Sequence, residues 1–329
     1  MKRAILTLVM LLCGATAAQA QSGPPYRLTL AGASAGGLWS QLGVGVDQAV
    51  AAAFPGSTIT YQTSGGGLAN LPMVASGRVP MGIALDTEID IAVKGEDPFK
   101  EPVRGIRTLA RPYEAQINYM LVTKEFSEKY GIKSLEDLAA KKPPIRVAMN
   151  RRGNATGKIS ALFFEAAGIT PQAIESWGGQ VIYAASGEQT NLAMDRRIDM
   201  IHNGLFIPDR TILQVANSVP LVWLTTTPAV VDKVAKESAG KPYTVKAGAY
   251  PWLLHDVLTT AHGAVITVSE KLDDNTAYNL AKAITENVTK ISGQSAALAS
   301  VDKRVVSTGS IIPFHPGAEK YYREAGLLK

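Results

Sequence analysis

The sequence predicts an α/β protein of two lobes, and three observations carry that prediction. The chain has 329 residues, 46% of them hydrophobic and 19% charged, which suffices for two cores and is too apolar for a disordered chain. Short β-prone runs alternate with glycine turns and with apolar residues at helical spacing, the order that builds a sheet of parallel strands. Residues 259–268 form a long, apolar, β-prone run late in the chain, which reads as a crossing strand returning the backbone from a second unit to the first.

In chain order, residues 26–31 read as a strand, followed by Gly36 and Gly37. Leu38, Leu42, Val46, Ala49 and Val50 then recur at helical spacing until Phe54-Pro55-Gly56 breaks the pattern. Residues 57–64 make a second strand, 65–67 a turn, and Leu71, Val74 and Ala75 a helix that stops before Gly77; residues 79–85 are a third strand. Residues 107–123 hold apolar runs around Pro112, 135–140 a short helix, 145–149 a strand and 151–157 a loop, and Ile159, Leu162, Phe163 and Ala166 mark a helix closed by Gly168. Helices at 187–197 and 207–216 alternate with strands at 199–202 and 219–224. After the crossing strand come a helix over about 273–291, with acids near its positive end, and a last helix around 317–325. This places residues 21–114 with 264–329 in one lobe and 115–263 in the other.

The first twenty residues belong to a different category. Lys2 and Arg3 precede an apolar run, and Ala18-Gln19-Ala20 is the small-x-small pattern cut by a signal peptidase. The run is shorter than the ~20 residues a bilayer crossing needs. A lipoprotein site at Cys13 is disfavoured by the bulky Leu12 before it. Cleavage after Ala20 removes the only cysteine, leaving an exported chain without a disulfide, which fits a bacterial periplasmic protein. Lys and Arg are scattered along a chain of formal net charge +5, so no nucleic-acid stripe forms.

Gly32-Ala33-Ser34-Ala35-Gly36 satisfies the G-x-S-x-G elbow of α/β hydrolases between a strand and a helix. It opens an enzymatic alternative, a secreted serine hydrolase with Ser34 as nucleophile and one of His202, His255, His262 or His315 as base. The elbow follows the first strand after the leader, so no upstream strand and loop supply an oxyanion hole. No histidine sits in a motif that marks it as a base, and the four are too dispersed for a metal site, so no cofactor is expected.

The same residues have a second use. A strand-glycine-helix junction exposes backbone N–H groups at the positive end of a helix, and small residues let an anion approach. Ser34 to Gly37 form one such junction, Thr63 to Gly67 a second, and Arg152 to Gly157 a third. The third lacks the first glycine and the Ser/Thr of a P-loop, since Arg152 and Ile159 occupy those positions.

At these junctions the chain resembles the TAXI subfamily of substrate-binding proteins that serve TRAP transporters. Gly36-Gly37-Leu38-Trp39 is similar to that family's Gly-Gly-x-Tyr segment, and Thr63 to Leu71 to its Thr-Gly-Gly-Ser-x-x-Asn-Leu stretch. Tyr113-Glu114 matches Tyr-Pro-Glu without the proline, and Ile198-Asp199 matches the start of an Ile-Asp-Ala strand. The most specific match is the tail, where His315-Pro316-Gly317-Ala318 and Tyr321-Tyr322-Arg323-Glu324-Ala325-Gly326 follow the family's ending.

The resemblance implies a type II Venus-flytrap fold with a hinge of crossing strands. It implies a receptor rather than an enzyme: a monomer that delivers a carboxylate-bearing small organic anion, such as glutamate or a related acid, to TRAP transporter membrane subunits. A periplasmic sensor domain for the same kind of anion would capture its ligand identically. Where the family has Gly-x-Pro-Gly-Ser-Gly-Thr, this chain reads Asn150-Arg151-Arg152-Gly153-Asn154-Ala155-Thr156. Two guanidiniums at a cleft edge favour a dianion, a dicarboxylate or 2-oxoacid, because arginine binds carboxylates bidentately. The expected ligand contacts are therefore Ser34, Gly37, Trp39, Ser64, Gly66, Asn70 and Thr87 on one side and Arg151, Arg152, Asn154, Thr156, Asn203 and Phe206 on the other. Asn70 serves either as a helix cap or as a ligand contact. Thr87, Asn203 and Phe206 are chosen because ligands of α/β sheets gather at C-terminal strand ends.

Overall fold

The computed structural model describes residues 23–33, 38–152 and 154–329. The leader, Ser34 and Gly37 lie outside the described residues. The first stretch runs β1 (Arg27–Ala31), α1 (Leu38–Ala53), β2 (Thr58–Gln62), α2 (Gly67–Ala75), β3 (Met81–Leu85), α3 (Asp86–Lys94) and β4 (Ile106–Thr123). The second runs α4 (Lys124–Tyr130), α5 (Leu135–Lys141), β5 (Arg146–Met149), α6 (Ala155–Ala166), α7 (Pro171–Ser176), β6 (Gln180–Tyr183), α8 (Ser186–Met194), β7 (Met200–Leu205), α9 (Arg210–Ala216), β8 (Leu221–Trp223), α10 (Pro228–Glu237) and β9 (Lys241–Val245). The return consists of β10 (Val257–Ser269), α11 (Asp274–Glu286), α12 (Thr289–Ser292), a 3-10 turn at Ala296–Leu298, α13 (Lys303–Val306) and α14 (Pro316–Glu324). Many helices start where a polar side chain accepts the first free amides: Thr123 for α4, Ser134 for α5, Thr170 for α7, Asp209 for α9, Thr227 for α10 and Asp273 for α11.

Ten strands form one sheet in the order β2-β1-β3-β10-β4-β7-β5-β6, with β8 on β4 and β9 on β10. The outer strands are parallel on both sides, whereas β10 and β4 run antiparallel to each other and to β3 and β7 respectively. These two long strands therefore join two parallel half-sheets. The apolar runs around Pro112 form one continuous strand of 18 residues. Its register against β10 slips between Ala264 and Ile266, opposite Tyr113 and Ala110, so Pro112 falls where a ladder bond is already missing.

Each half carries its own core. Buried residues between Ile117 and Ala261 pack in one cluster, and residues from Tyr26 to Tyr113 pack with Ala264 to Tyr322 in another. The pleat splits the central strands between faces: Ile83 and Leu85 join the second cluster, while Ala84 turns to a third with Leu71, Val74 and Val265. Three expectations shift. α3 begins directly after β3, putting Thr87 in a helix; β7 runs on to Leu205, putting Asn203 inside the strand; and the helix expected over 273–291 breaks at Asn287.

Candidate functional site

Two of the junctions can be placed, one between β2 and α2 and one between β5 and α6, at C-terminal strand ends of the two half-sheets. On the first half, Asn70 of α2 is fully buried and its Nδ2 donates to the carbonyls of Ala31, Gly32 and Ile83 at 3.1, 2.8 and 2.8 Å. Ser64 Oγ lies 2.6 Å from both Gly32 O and Asn70 Oδ1 and accepts from the Gly66 amide at 3.0 Å. These two side chains fasten the β1 and β2 ends together, so Asn70 does not cap α2 but braces the loops that surround the site. Gly66 is the N-cap of α2, with φ 97° and ψ −168°, a conformation open to glycine and strained for other residues.

No side chain of the cap itself satisfies the start of α2. Glu88, in the first turn of α3, does so from outside. Its Oε2 accepts the Leu85 amide at 2.8 Å, and the backbone at Gly67 and Leu68 hydrogen-bonds the same carboxyl group. Burial pushes its pKa up to about 7 against the opposing pull of those backbone bonds. The reading that left the Gly65 to Gly67 corner open to a ligand missed Glu88, which stands 21 residues after Gly67 in no recognisable motif.

Trp39 packs where the two halves meet. Its indole Nε1 donates to Tyr113 Oη at 2.8 Å, and the Tyr113 ring meets Phe206 edge-on at 4.7 Å between centroids. Phe206 follows β7, so this contact joins the two half-sheets. Burial holds the Tyr113 phenol well above its ordinary pKa. Phe206 is itself held in place: Tyr119 Oη donates to its carbonyl at 2.6 Å and lies 2.9 Å from Tyr250 Oη.

Asp86 and Thr87 are both engaged within the protein. Asp86 is neutralised by Arg111 in two contacts of 2.7 and 3.0 Å and accepts from Ser310 Oγ at 2.9 Å. Thr87 Oγ1 donates to the Ser238 carbonyl at 2.5 Å, an α3-to-α10 contact that bridges the halves. Lys158 Nζ at 3.4 Å from Glu96 adds an exposed bridge.

On the second half, Asn154 caps α6 by accepting Thr156 N and Thr156 Oγ1 at 2.9 and 2.7 Å. Asn203 links three junctions. Its Oδ1 accepts from Asn150 Nδ2 at 3.0 Å and Thr156 Oγ1 at 3.2 Å, while its Nδ2 donates to Ser186 Oγ at 2.9 Å. Nearby, Gln116 Oε1 is buried without a hydrogen-bond partner, 3.4 Å from where a Cβ on Gly204 would stand. An acceptor left orphaned beside hydroxyls and amides invites a donor from a guest. Arg151 and Arg152 are exposed at the rim, and the Arg152 guanidinium lies 3.9 Å above the Tyr183 ring, a cation–π seat that holds it over the end of β6.

The histidines weighed as bases are occupied elsewhere. His202 binds Asn118 Oδ1 at 3.0 Å, and burial drives its pKa down to about 3. His262 pairs with Ser238 Oγ at 2.8 Å with its pKa lowered to about 4 by burial, and His315 caps α14. His255 lines a separate hollow of about 480 Å³ with Lys124, Lys133 and Trp223. Among the described residues no group of three or more His, Cys, Asp or Glu could hold a metal, and no helix is long and apolar enough to cross a membrane.

Solved structures share this architecture across nearly the whole chain. BugD, a periplasmic binding protein, matches at 13% identity and a TM-score of 0.53, covering 92% of this chain and 98% of its own. A TctC solute-binding protein from Polaromonas matches at 13% and 0.51, covering 93% and 99%. MatC from Rhodopseudomonas palustris, solved with bound malate, matches at 11% and 0.53, covering 93% and 100%. The chain thus has the α/β periplasmic-binding-protein fold. The model of the NMT1-like family matches residues 30–326, and the chain belongs to that family.

Proposed function

We propose that the protein is an exported, periplasmic solute receptor of the TAXI type. It captures a small carboxylate-bearing anion, a dicarboxylate, 2-oxoacid or acidic amino acid such as glutamate, and delivers it to TRAP transporter membrane subunits. In this reading residues 21–114 with 264–329 and residues 115–263 are lobes that close on the ligand about β4 and β10, the leader being cut after Ala20. The observation that carries it is the meeting of the two sets of strand ends at Trp39, Tyr113 and Phe206, beside the neutral donors and acceptors of Thr156, Asn203 and Gln116 and under an arginine rim. Such a site binds and orients; it has the makings of a clamp whose two faces gain contacts only when closed. MatC, which shares the fold, holds malate, and a hydroxy acid would supply both a charge for the rim and a donor for Gln116.

The test is a thermal-shift screen of residues 21–329 against small acids. A ligand at about 100 times its Kd stabilises by roughly 2.7 kcal/mol. The expected outcome is saturable stabilisation by at least one small carboxylate, abolished in Asn203→Ala. A flat response across mono-, di- and 2-oxo acids would remove the proposal.

A further inference from the structure

Glu88 is a carboxylate sitting where the sequence leads one to look for a ligand's. It is 4% exposed, and its Oε2 takes the Leu85 amide at 2.8 Å while the backbone of Gly67 and Leu68, the first turn of the nine-residue α2, hydrogen-bonds the same group. Space agrees with charge: a Cβ on Gly67 would stand 1.9 Å from Oε2, so the glycine there makes room for Glu88 rather than for a guest. The polar side chains of the corner, Ser64 and Asn70, are used up on each other and on the carbonyls of Ala31, Gly32 and Ile83. The positive end of α2 is therefore satisfied from within the fold.

We propose that Glu88 supplies the resident carboxyl group of this corner, a specificity residue that bars a ligand carboxylate from the N-terminus of α2 and sends the ligand's charge to the Arg151–Arg152 rim. The second part of this rests on the receptor reading; the first does not. The ligand class narrows accordingly, to acids bound by a carboxylate at the rim with an uncharged, hydrogen-bonding remainder toward α2. Acids that need one charge held by each half-sheet are disfavoured, since the Glu88 carboxyl group already takes the corner amides and fills the space beside Gly67.

The test removes the internal carboxyl group and offers an external one. In Glu88→Ala, acetate is expected to raise Tm saturably relative to equal sodium chloride, while the intact protein does not respond; equal responses in the two proteins would overturn the proposal. Glutarate and butyrate then read the ligand's charge: Glu88→Ala is expected to gain about tenfold in affinity for glutarate over butyrate, one charge-assisted contact's worth, and no gain in a protein that binds both acids would overturn the steering. If neither acid binds but acetate still stabilises the variant, the receptor reading fails and the filled corner stands. Should Glu88→Ala not fold, the intact protein decides: its Gly67 and Leu68 amide proton resonances are expected to stay fixed on saturation with glutarate, and a downfield shift of either would overturn the proposal.

Discussion

Arg111→Met tests how the base of the site is held together. Arg111 on β4 makes two contacts with Asp86 at 2.7 and 3.0 Å and two with the Gly309 carbonyl at 3.2 and 2.7 Å, with the ion pair nearly shielded from water. Methionine fills similar volume and removes every one of these donors. Asp86 then remains buried with only Ser310 Oγ, 2.9 Å away, to solvate it. Leaving one member of a buried ion pair uncompensated costs about 3–5 kcal/mol. The surviving Ser310 bond places this site at the lower end, about 3 kcal/mol, and at about 2–4 °C per kcal/mol Tm falls by about 6–12 °C. Urea unfolding followed by circular dichroism measures it. The double variant Asp86→Asn/Arg111→Met, which buries no charge, should recover more than half of the loss. A single variant within about 1 kcal/mol of the parent would refute the reasoning, because it would mean that water already reaches the pair.

Gly66→Ala places a side chain at φ 97° and should lose about 1–3 kcal/mol in the same unfolding assay. Thr87→Val removes the 2.5 Å bond to Ser238 that joins α3 to α10; if closure carries that bond, worth about 0.5–1.5 kcal/mol net, affinity for the captured acid drops roughly 2- to 10-fold by calorimetry. Glu88 has a folded pKa raised from 4.5 to about 7, so its contribution to stability is fully present below pH 4.5 and is lost as pH rises through 7. His202 has the opposite sign: its pKa is depressed from 6.5 to about 3, so its contribution is present above pH 6.5 and is lost as pH falls toward 3. In urea titrations from pH 3 to 8, Glu88→Gln should flatten the loss on the neutral side and His202→Asn the loss on the acid side.

Those features were legible from the sequence to different depths. The alternation of β-prone runs, glycine turns and helical stripes sufficed to place β1, α1, β2, α2 and β3 within a few residues, because each is a local pattern with a local stop signal. The crossing strand β10 announced itself by length and apolarity alone. α3 escaped because its opening Asp86-Thr87-Glu88 looks polar and loop-like; its buried acids are stabilised by Arg111 and by the start of α2, partners that periodicity does not reveal. For β4 the apolar runs at 107–123 were visible, but not that they form one strand through Pro112, because only the register slip against β10 accommodates the proline. The same distance problem governs the site. Trp39 was chosen from its match to the family's aromatic and Asn203 from its position beside a strand end, whereas Tyr113 and Gln116 acquire meaning only when β4 carries them between the half-sheets. Asn70 and Ser64 sit where expected yet spend their hydrogen bonds on the loops, a distinction that needs coordinates.

The account turns on one claim, that the two half-sheets close together on a small acid. In a protein of residues 21–329, which lacks Cys13, the only cysteine of the sequence, Ser76→Cys on the first half and Asn217→Cys on the second, both exposed, give a clean pair for spin labels. Pulsed electron–electron distance measurement, with and without the acid found in the screen, should show a broad distribution of separations narrowing to one shorter distance, with the narrowing lost in Phe206→Ala. A distribution that binding leaves unchanged would contradict the claim.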